Sequence, residues 1–396
     1  MNLKNRKIFV IGLIILAVIM ISSFLCSSFL TSKNKVLAED CPAKSMVVIE
    51  ADSRRVLNDK NKDERLAMAS TTKIMTALVT CKNVKDFDEV VAINDNAVGI
   101  EGTSMYLKKG EKLTVKELLY GLMLPSGNDA AMALAYYVGG SEERFVEMMN
   151  EQAKELNLQN THFANPHGLD ADGHYTSAYD LAIITAEALK NDTFKEIVST
   201  KNIRVTGSKE NEPRFLSNKN KLLKTLDGCT GVKTGFTDNA GRCFVCSCTR
   251  DGMTLISIVL NCGPMFEESA KLLNACFEKY KMREILEPYA QGENIKVSNG
   301  ESDFVQTVTK HGFSYPLTDE EFNNIKIVRN QPEIIDAPVV KEQKIGEIEI
   351  YLDKNLLFKE NIYTMENVKS TKYLDKIWEI GDEWNIYLLR TNDEIK

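Results

Sequence analysis

The hydrophobic period switches repeatedly between strand and helix along these 396 residues, and that pattern restricts the fold more than any other property of the chain. Ser45 to Glu50 reads as a strand, Ala51-Asp52-Ser53 as a turn and Arg54 to Leu57 as its return, so a sheet edge begins here. Apolar residues then recur at helical spacing at Ile74, Ala77, Leu78 and Cys81, again over Val115 to Leu124 and Asp129 to Val138, and over Asp180 to Leu189. Pro125-Ser126-Gly127 separates two of these helices, and Asn165 to Thr176 reads as a loop. From Thr230 the period falls to two, in Gly231 to Phe236, Cys243 to Thr249 and Thr254 to Leu260, the last pair joined by the hairpin turn Arg250-Asp251-Gly252. Ser269 to Tyr280 returns to helical spacing and would pack on that sheet. The fold class expected is therefore α/β in the α+β sense: an antiparallel sheet with a helical subdomain.

Beyond Pro288, Gln291-Gly292-Glu293-Asn294 reads as a linker, followed by short β segments at Asn294 to Val297, Phe304 to Val308 and Ile345 to Leu352. These predict a first domain over 39–290, a smaller β-rich domain over 293–365 and a C-terminal tail over 366–396. At about 150 residues per domain the length accommodates two domains or three.

Residues 1–38 carry Lys4, Arg6, Lys7, Lys33 and Lys35 and no acid, around an uncharged run from Ile8 to Leu30. That is the form of a signal peptide, with Val36-Leu37-Ala38 offering small residues for cleavage, and it predicts an exported, extracytoplasmic protein. The same run could instead serve as an uncleaved anchor, since 23 uncharged residues can cross about 30 Å of hydrocarbon as a helix. A formal charge of −7 excludes a basic nucleic-acid binder. Nine cysteines in an exported chain invite a disulfide framework, yet their density is far under the roughly 8–10% of stapled small domains. Phe244, Cys246 and Cys248 alternate on one strand face, where cysteine serves as a small apolar filler.

A hydrolase that uses serine without histidine needs another group to accept the hydroxyl proton, and a lysine one helical turn away can do so. Ser70-Thr71-Thr72-Lys73 has that spacing at a helix start, where unpaired backbone N–H groups favour an anion. Ser126-Gly127-Asn128 places a hydroxyl and a carboxamide on a loop between helices. Lys233-Thr234-Gly235 lies on a strand, with a cation, a hydroxyl donor and no side chain at Gly235 to block an approaching ligand backbone. Taken singly, these read as an N-cap, a turn and an unremarked tripeptide. Together they follow the order Ser-x-x-Lys, Ser-x-Asn, Lys-Thr-Gly.

In that order the chain resembles the penicillin-binding D-alanyl-D-alanine carboxypeptidases, the low-molecular-mass penicillin-binding proteins, and the resemblance includes Asn165-Pro166-His167-Gly168-Leu169-Asp170 and Lys233-Thr234-Gly235-Phe236-Thr237. It implies a β-lactamase/transpeptidase-like first domain, no cofactor and no metal, and a role in cell-wall biogenesis. The partners implied are peptidoglycan stem peptides as substrates and β-lactam antibiotics as covalent inhibitors. It further implies that Ser70 is the nucleophile, Lys73 its base and Ser126 the relay of a proton to the leaving D-alanine. Asn128 would hold the acyl-side amide, Lys233 and Thr234 the terminal carboxylate, and the backbone N–H groups of Ser70 and Phe236 the oxyanion.

Two departures stand out. Relatives often carry an arginine shortly before the helix near Phe266, where this chain has Pro264, Met265 and Phe266; Arg242 is the candidate replacement. Relatives also often end in an amphipathic membrane-binding helix, whereas Tyr373 to Lys396 holds Trp378 and Trp384 but three basic against six acidic residues. A peripheral membrane contact and a helix packed on the tail domain both remain open there. His162, His167 and His174 share one loop with Asp170 and Asp172, without the helical spacing of a metal motif. The alternative functions are a β-lactamase, for which no Glu-x-x-Leu-Asn segment is found between Ser141 and Thr230, and a non-catalytic muropeptide-binding module.

Overall fold

A computed structural model describes residues 40–206, 213–372 and Ile377. The leader and the C-terminal tail read from the sequence lie outside these, apart from 366–372 and Ile377. The chain divides into two units, breaking after Lys279.

The first unit opens with β1 (Ser45–Glu50) and β2 (Val56–Lys60), then a 3-10 turn (Ala69–Thr72) that runs into α1 (Lys73–Asn83). After them come β3 (Val90–Ala92), β4 (Lys112–Thr114), α2 (Val115–Met123), α3 (Asn128–Gly139), α4 (Glu142–Glu155), α5 (Ala178–Ala188) and α6 (Asp192–Ser199). A hairpin of β5 (Asn202–Val205) and β6 (Arg214–Ser217) and the short α7 (Leu222–Thr225) precede β7 (Cys229–Thr237), β8 (Gly241–Arg250), β9 (Met253–Leu260) and α8 (Met265–Lys279). The main sheet has the order β2-β1-β9-β8-β7, all antiparallel. Its first two strands come from the start of the chain and its last three from residues 229–260. A single buried cluster spans both, from Val47 and Ile49 through Leu118, Leu134 and Ile184 to Ile256 and Ile258.

Local chemistry accounts for most boundaries. α2 starts on a reciprocal capping box between Thr114 and Glu117, and Ser141, Ser177 and Asn191 cap α4, α5 and α6 through their side chains. The turn between β8 and β9 puts Asp251 and Gly252 at φ 48° and 75°, the left-handed pair of a two-residue hairpin. The return strand β2 begins later than its sequence suggests. Glu50 accepts the backbone N–H groups of Asp52 and Ser53, and Arg54 takes φ 58°, which lengthens the turn.

In the second unit the expected linker at 291–294 lies inside the fold. β10 (Lys281–Leu286) pairs antiparallel with β14 (Phe313–Leu317), so pairing begins about ten residues before the predicted boundary. Between them lie β11 (Ile295–Ser298), β12 (Phe304–Val305) and β13 (Thr307–Thr309); after them come α9 (Asp319–Asn323), β15 (Ile325–Asn330), β16 (Ile334–Asp336), β17 (Lys344–Leu352) and β18 (Asn355–Thr364). The orders are β12-β11-β16 and β13-β18-β17-β15. Leu286, Ile348, Ile350 and Ile362 form a small core. No helix among the described residues is long and apolar enough to cross a membrane.

Candidate active site

Ser70 stands on the 3-10 turn, which is tied by Thr71 Oγ1 donating to Met68 O (2.6 Å) and Thr72 Oγ1 to Ala69 O (2.8 Å). Ala69 is left-handed at φ 47°, a conformation that costs a side-chain-bearing residue roughly 1–2 kcal/mol. The loop containing Asn165 to Asp170 holds it there. A Cβ on Gly168 would stand 2.1 Å from Ala69 O, so at φ +91° only glycine fits, and Asn165 Oδ1 fixes the loop by accepting from Gly168 N (2.7 Å).

Lys73 follows in the first turn of α1 and is fully buried. Its Nζ lies 3.0 Å from Ser70 Oγ and donates to Asn128 Oδ1 and to His167 O, both at 2.6 Å. Burial lowers its proton affinity well below the usual lysine range; the like charges of Lys233 and Lys219 lower it further, against a smaller opposing pull from Asp129. A neutral amine has two hydrogens and one lone pair. The two carbonyl-type acceptors take both hydrogens, which leaves the lone pair facing the Ser70 hydroxyl.

Ser126 sits between α2 and α3 at φ 72°, buried, and its Oγ makes no hydrogen bond within the described residues. The connection is rigid: Gly127 N donates to Gly121 O (2.9 Å) and Asn128 N to Thr103 O (2.7 Å). Asn128 opens α3, and besides accepting from Lys73 it gives one amide hydrogen to Glu101 O (2.5 Å). Its second amide hydrogen is left for a ligand.

β7 carries the third motif. Lys233 is fully buried, with Nζ donating to Thr234 O (2.9 Å), and burial followed by the charge of Lys219 pushes its proton affinity down to about 7. Gly235 has a different reason from the one its sequence suggests. A Cβ there would meet Ser70 N at 3.0 Å, so the missing side chain admits the protein's own 3-10 turn that carries Ser70. Phe236 is exposed and opposes Arg242 across the β7–β8 ladder. A cleft of about 810 Å³ is lined by Ser70, Ser126, Asn128, Thr234, Gly235, Phe236 and Arg242, with Lys73 and Lys233 buried behind it. The loop after His167 reaches its far rim, where Thr237 Oγ1 donates to Asp170 Oδ1 (3.0 Å).

Four contributors escaped the sequence reading. Lys219 lines the cleft and raises the local positive charge, but Asn218-Lys219-Asn220 looks like any polar loop. The carbonyl of His167 is backbone, which no side-chain pattern reveals. Asp129 is buried and accepts from Ser104 Oγ and from the N–H groups of Met105, Leu107 and Ala130, so it fixes the loop that forms one cleft wall. His174, buried beside Thr72 Oγ1 at 2.8 Å with Ala164 N donating to Nδ1, has its proton affinity driven down to about 4, chiefly by burial, and braces the same region as a neutral ring.

The model of the family described as D-alanyl-D-alanine carboxypeptidase matches residues 32–263. The chain belongs to that family. A second model, the C-terminal domain of penicillin-binding protein 5, matches residues 280–370. Among curated relatives, the D-alanyl-D-alanine carboxypeptidase DacF of Bacillus subtilis is 35% identical over 353 residues, covering 86% of this chain and 90% of its own. DacC of Escherichia coli is 32% identical over 364 residues, covering 88% and 90%. The crystal structure of penicillin-binding protein 5 from Haemophilus influenzae superposes with a TM-score of 0.70 at 30% identity, over 84% of this chain and 98% of that one. This member of the carboxypeptidase family thus shares both units with its relatives.

Proposed function

We propose that this protein is a serine-type D-alanyl-D-alanine carboxypeptidase that removes the terminal D-alanine from peptidoglycan pentapeptide stems, with the roles distributed as follows. Lys73 takes the proton of Ser70 as Oγ attacks the carbonyl of the penultimate D-alanine. The backbone N–H groups of Ser70 and Phe236 receive the oxyanion, an arrangement in which one donor is typically worth about 10²–10³ in rate. Ser126 delivers the proton to the departing amine, and water later releases the acyl group from Ser70. Lys233 and Thr234 hold the terminal carboxylate, with Lys219 and Arg242 on the same cleft supplying the positive field that an arginine near Phe266 would otherwise give.

One observation carries this reading: the buried Lys73 Nζ stands 3.0 Å from Ser70 Oγ while it donates to Asn128 Oδ1 and to His167 O. The basic and uncharged stretches of residues 1–38, together with a substrate found outside the cytoplasmic membrane, support export of the protein. The test is incubation of the purified protein with diacetyl-lysyl-D-alanyl-D-alanine and, separately, with labelled benzylpenicillin. Free D-alanine and a penicilloyl group on Ser70 are expected, and Ser70→Ala removes both. Release of neither by the unaltered protein overturns the assignment.

A further inference from the structure

The mechanism above uses none of the thiols, and two pairs of cysteines touch among the described residues of the first unit. Cys41 and Cys262 are hydrogen-bonded and both wholly buried. The second pair is more accessible: Cys229, half-buried at the start of β7, has its Sγ 3.8 Å from Sγ of the fully buried Cys246 on β8. Cys248, the other thiol of that face, is already engaged, donating to Asp227 O at 3.1 Å.

The surroundings of Cys229 join it to the active site. Asn220 Nδ2 reaches Cys229 Sγ (3.8 Å) and donates to Gly231 O (2.8 Å), while Asn220 N donates to Asn218 Oδ1 (2.9 Å). Asn218 and Lys219 line the cleft, and Gly231 lies two residues before Lys233 on the same strand. We infer that Cys229 and Cys246 form a dithiol–disulfide modification site, reactive toward peroxides, whose oxidation state is transmitted to the acylation cleft through Asn220.

The pair has the division of labour that such a site needs. Contact with Cys246 pulls the Cys229 thiol down to about 7 despite burial, helped by the Asn220 N–H and the charge of Lys201, whereas burial holds Cys246 well above the ordinary thiol range. With hydrogen peroxide as oxidant, the Cys229 thiolate attacks one oxygen, the O–O bond breaks, and the hydroxide released is protonated to water. The resulting sulfenic acid is attacked by the Cys246 sulfur: the S–S bond forms, the S–O bond breaks and a second water leaves. Two thiols thus supply the two electrons that reduce the peroxide. Bond formation shortens the sulfur separation from 3.8 Å to about 2.05 Å, so the sulfur that Asn220 Nδ2 reaches has to shift.

The experiment treats the purified full-length protein with hydrogen peroxide, blocks remaining thiols with N-ethylmaleimide and maps cross-linked peptides by mass spectrometry, with benzylpenicillin acylation followed in parallel. A Cys229–Cys246 cross-link, a several-fold change in acylation rate and recovery of both by dithiothreitol are expected. Cys229→Ser should acylate normally and lose the peroxide response, and Cys246→Ser should leave a sulfenic acid at Cys229 that dimedone traps. Should Cys246→Ser fail to fold, the cross-link map and Cys229→Ser still decide the question. Recovery of Cys229 as a free thiol, or cross-linked to Cys248, overturns the site; a Cys229–Cys246 bond with unaltered acylation overturns its link to the cleft.

Discussion

In the first unit two lysine side chains, Lys73 and Lys233, lie fully buried behind the cleft, and a carboxylate, Asp129, is buried beside it. In the second unit the lysines stay at the surface: Lys344 and Lys359 share Glu347, Lys359 also meets Glu349, and the interior is made of two small aliphatic groups, one around Ile348, Ile350 and Ile362 and one around Ile295, Val305 and Val339. Burying an ammonium opposes folding unless its hydrogens are satisfied. The first unit carries that cost at two positions, and burial depresses the proton affinity of both lysines, which is what the proposed roles of base and carboxylate partner require. Among its described residues the second unit buries no lysine; its one buried carboxylate, Glu360, faces His311 Nδ1 at 2.9 Å, and the lysine pairs are surface contacts.

The contrast can be broken most forcefully at Lys73. Lys73→Met keeps an apolar side chain of similar length but removes the base, so benzylpenicillin acylation should fall by about 10²–10⁴, measured as the second-order rate constant. A variant retaining more than a tenth of the rate would mean that another group deprotonates Ser70. In the second unit Ile350→Ala opens a cavity in a core with few other members and should cost about 2–5 kcal/mol in denaturant unfolding of that unit. The acylation rate should not change; if it falls in step, the units do not separate chemistry from stability as the buried charges suggest.

A smaller signal tests Lys233. Its proton affinity near 7 in the free site means that above pH 7 it is mostly neutral, and a bound carboxylate favours its charged form. Binding of diacetyl-lysyl-D-alanyl-D-alanine to Ser70→Ala should therefore take up a fraction of a proton at pH 8 and almost none at pH 6, read by calorimetry in buffers of different ionisation heat. The same shift opposes folding below pH 7 and ceases to do so as pH rises from about 7 toward the usual lysine range, because the unfolded chain there binds the extra proton. Equal uptake at both pH values would show that Lys233 stays charged. Least of all should Lys359→Ala matter: its partners Glu347 and Glu349 are solvent-screened, and the unfolding midpoint should not move measurably in moderate salt.

Much of the first unit was readable because its signals are local. The helices at 115 and 178 and the hairpin at Asp251-Gly252 carry caps, period and turn residues within a few positions of one another. The Ser-x-x-Lys spacing was equally local, and it correctly placed Ser70 and Lys73 on one face. What could not be read depends on distant backbone. The carbonyl of His167 that holds Lys73, the approach of Gly235 to Ser70 N and the fit of Gly168 against Ala69 O are contacts between segments tens of residues apart. Lys219 went unnoticed because its effect is a field, set by burial and by two other lysines, and neither is written in its neighbours. The second unit's start was misplaced for a related reason: β10 pairs with Phe313 to Leu317, and only that partner shows that it belongs to the later sheet.

The position of β1 has a consequence for how the molecule comes into being. All six of its residues are buried, it lies inside the sheet, and its ladder partner β9 ends at Leu260. A chain growing from its amino end therefore carries a sticky ribbon with one flank unmatched for more than two hundred residues, and long-range closure of this kind is slow. Until Leu260 emerges the sheet lacks the inner neighbour of β1, and the cleft around Ser70 lacks the strand β7 that pairs into the same sheet through β8 and β9.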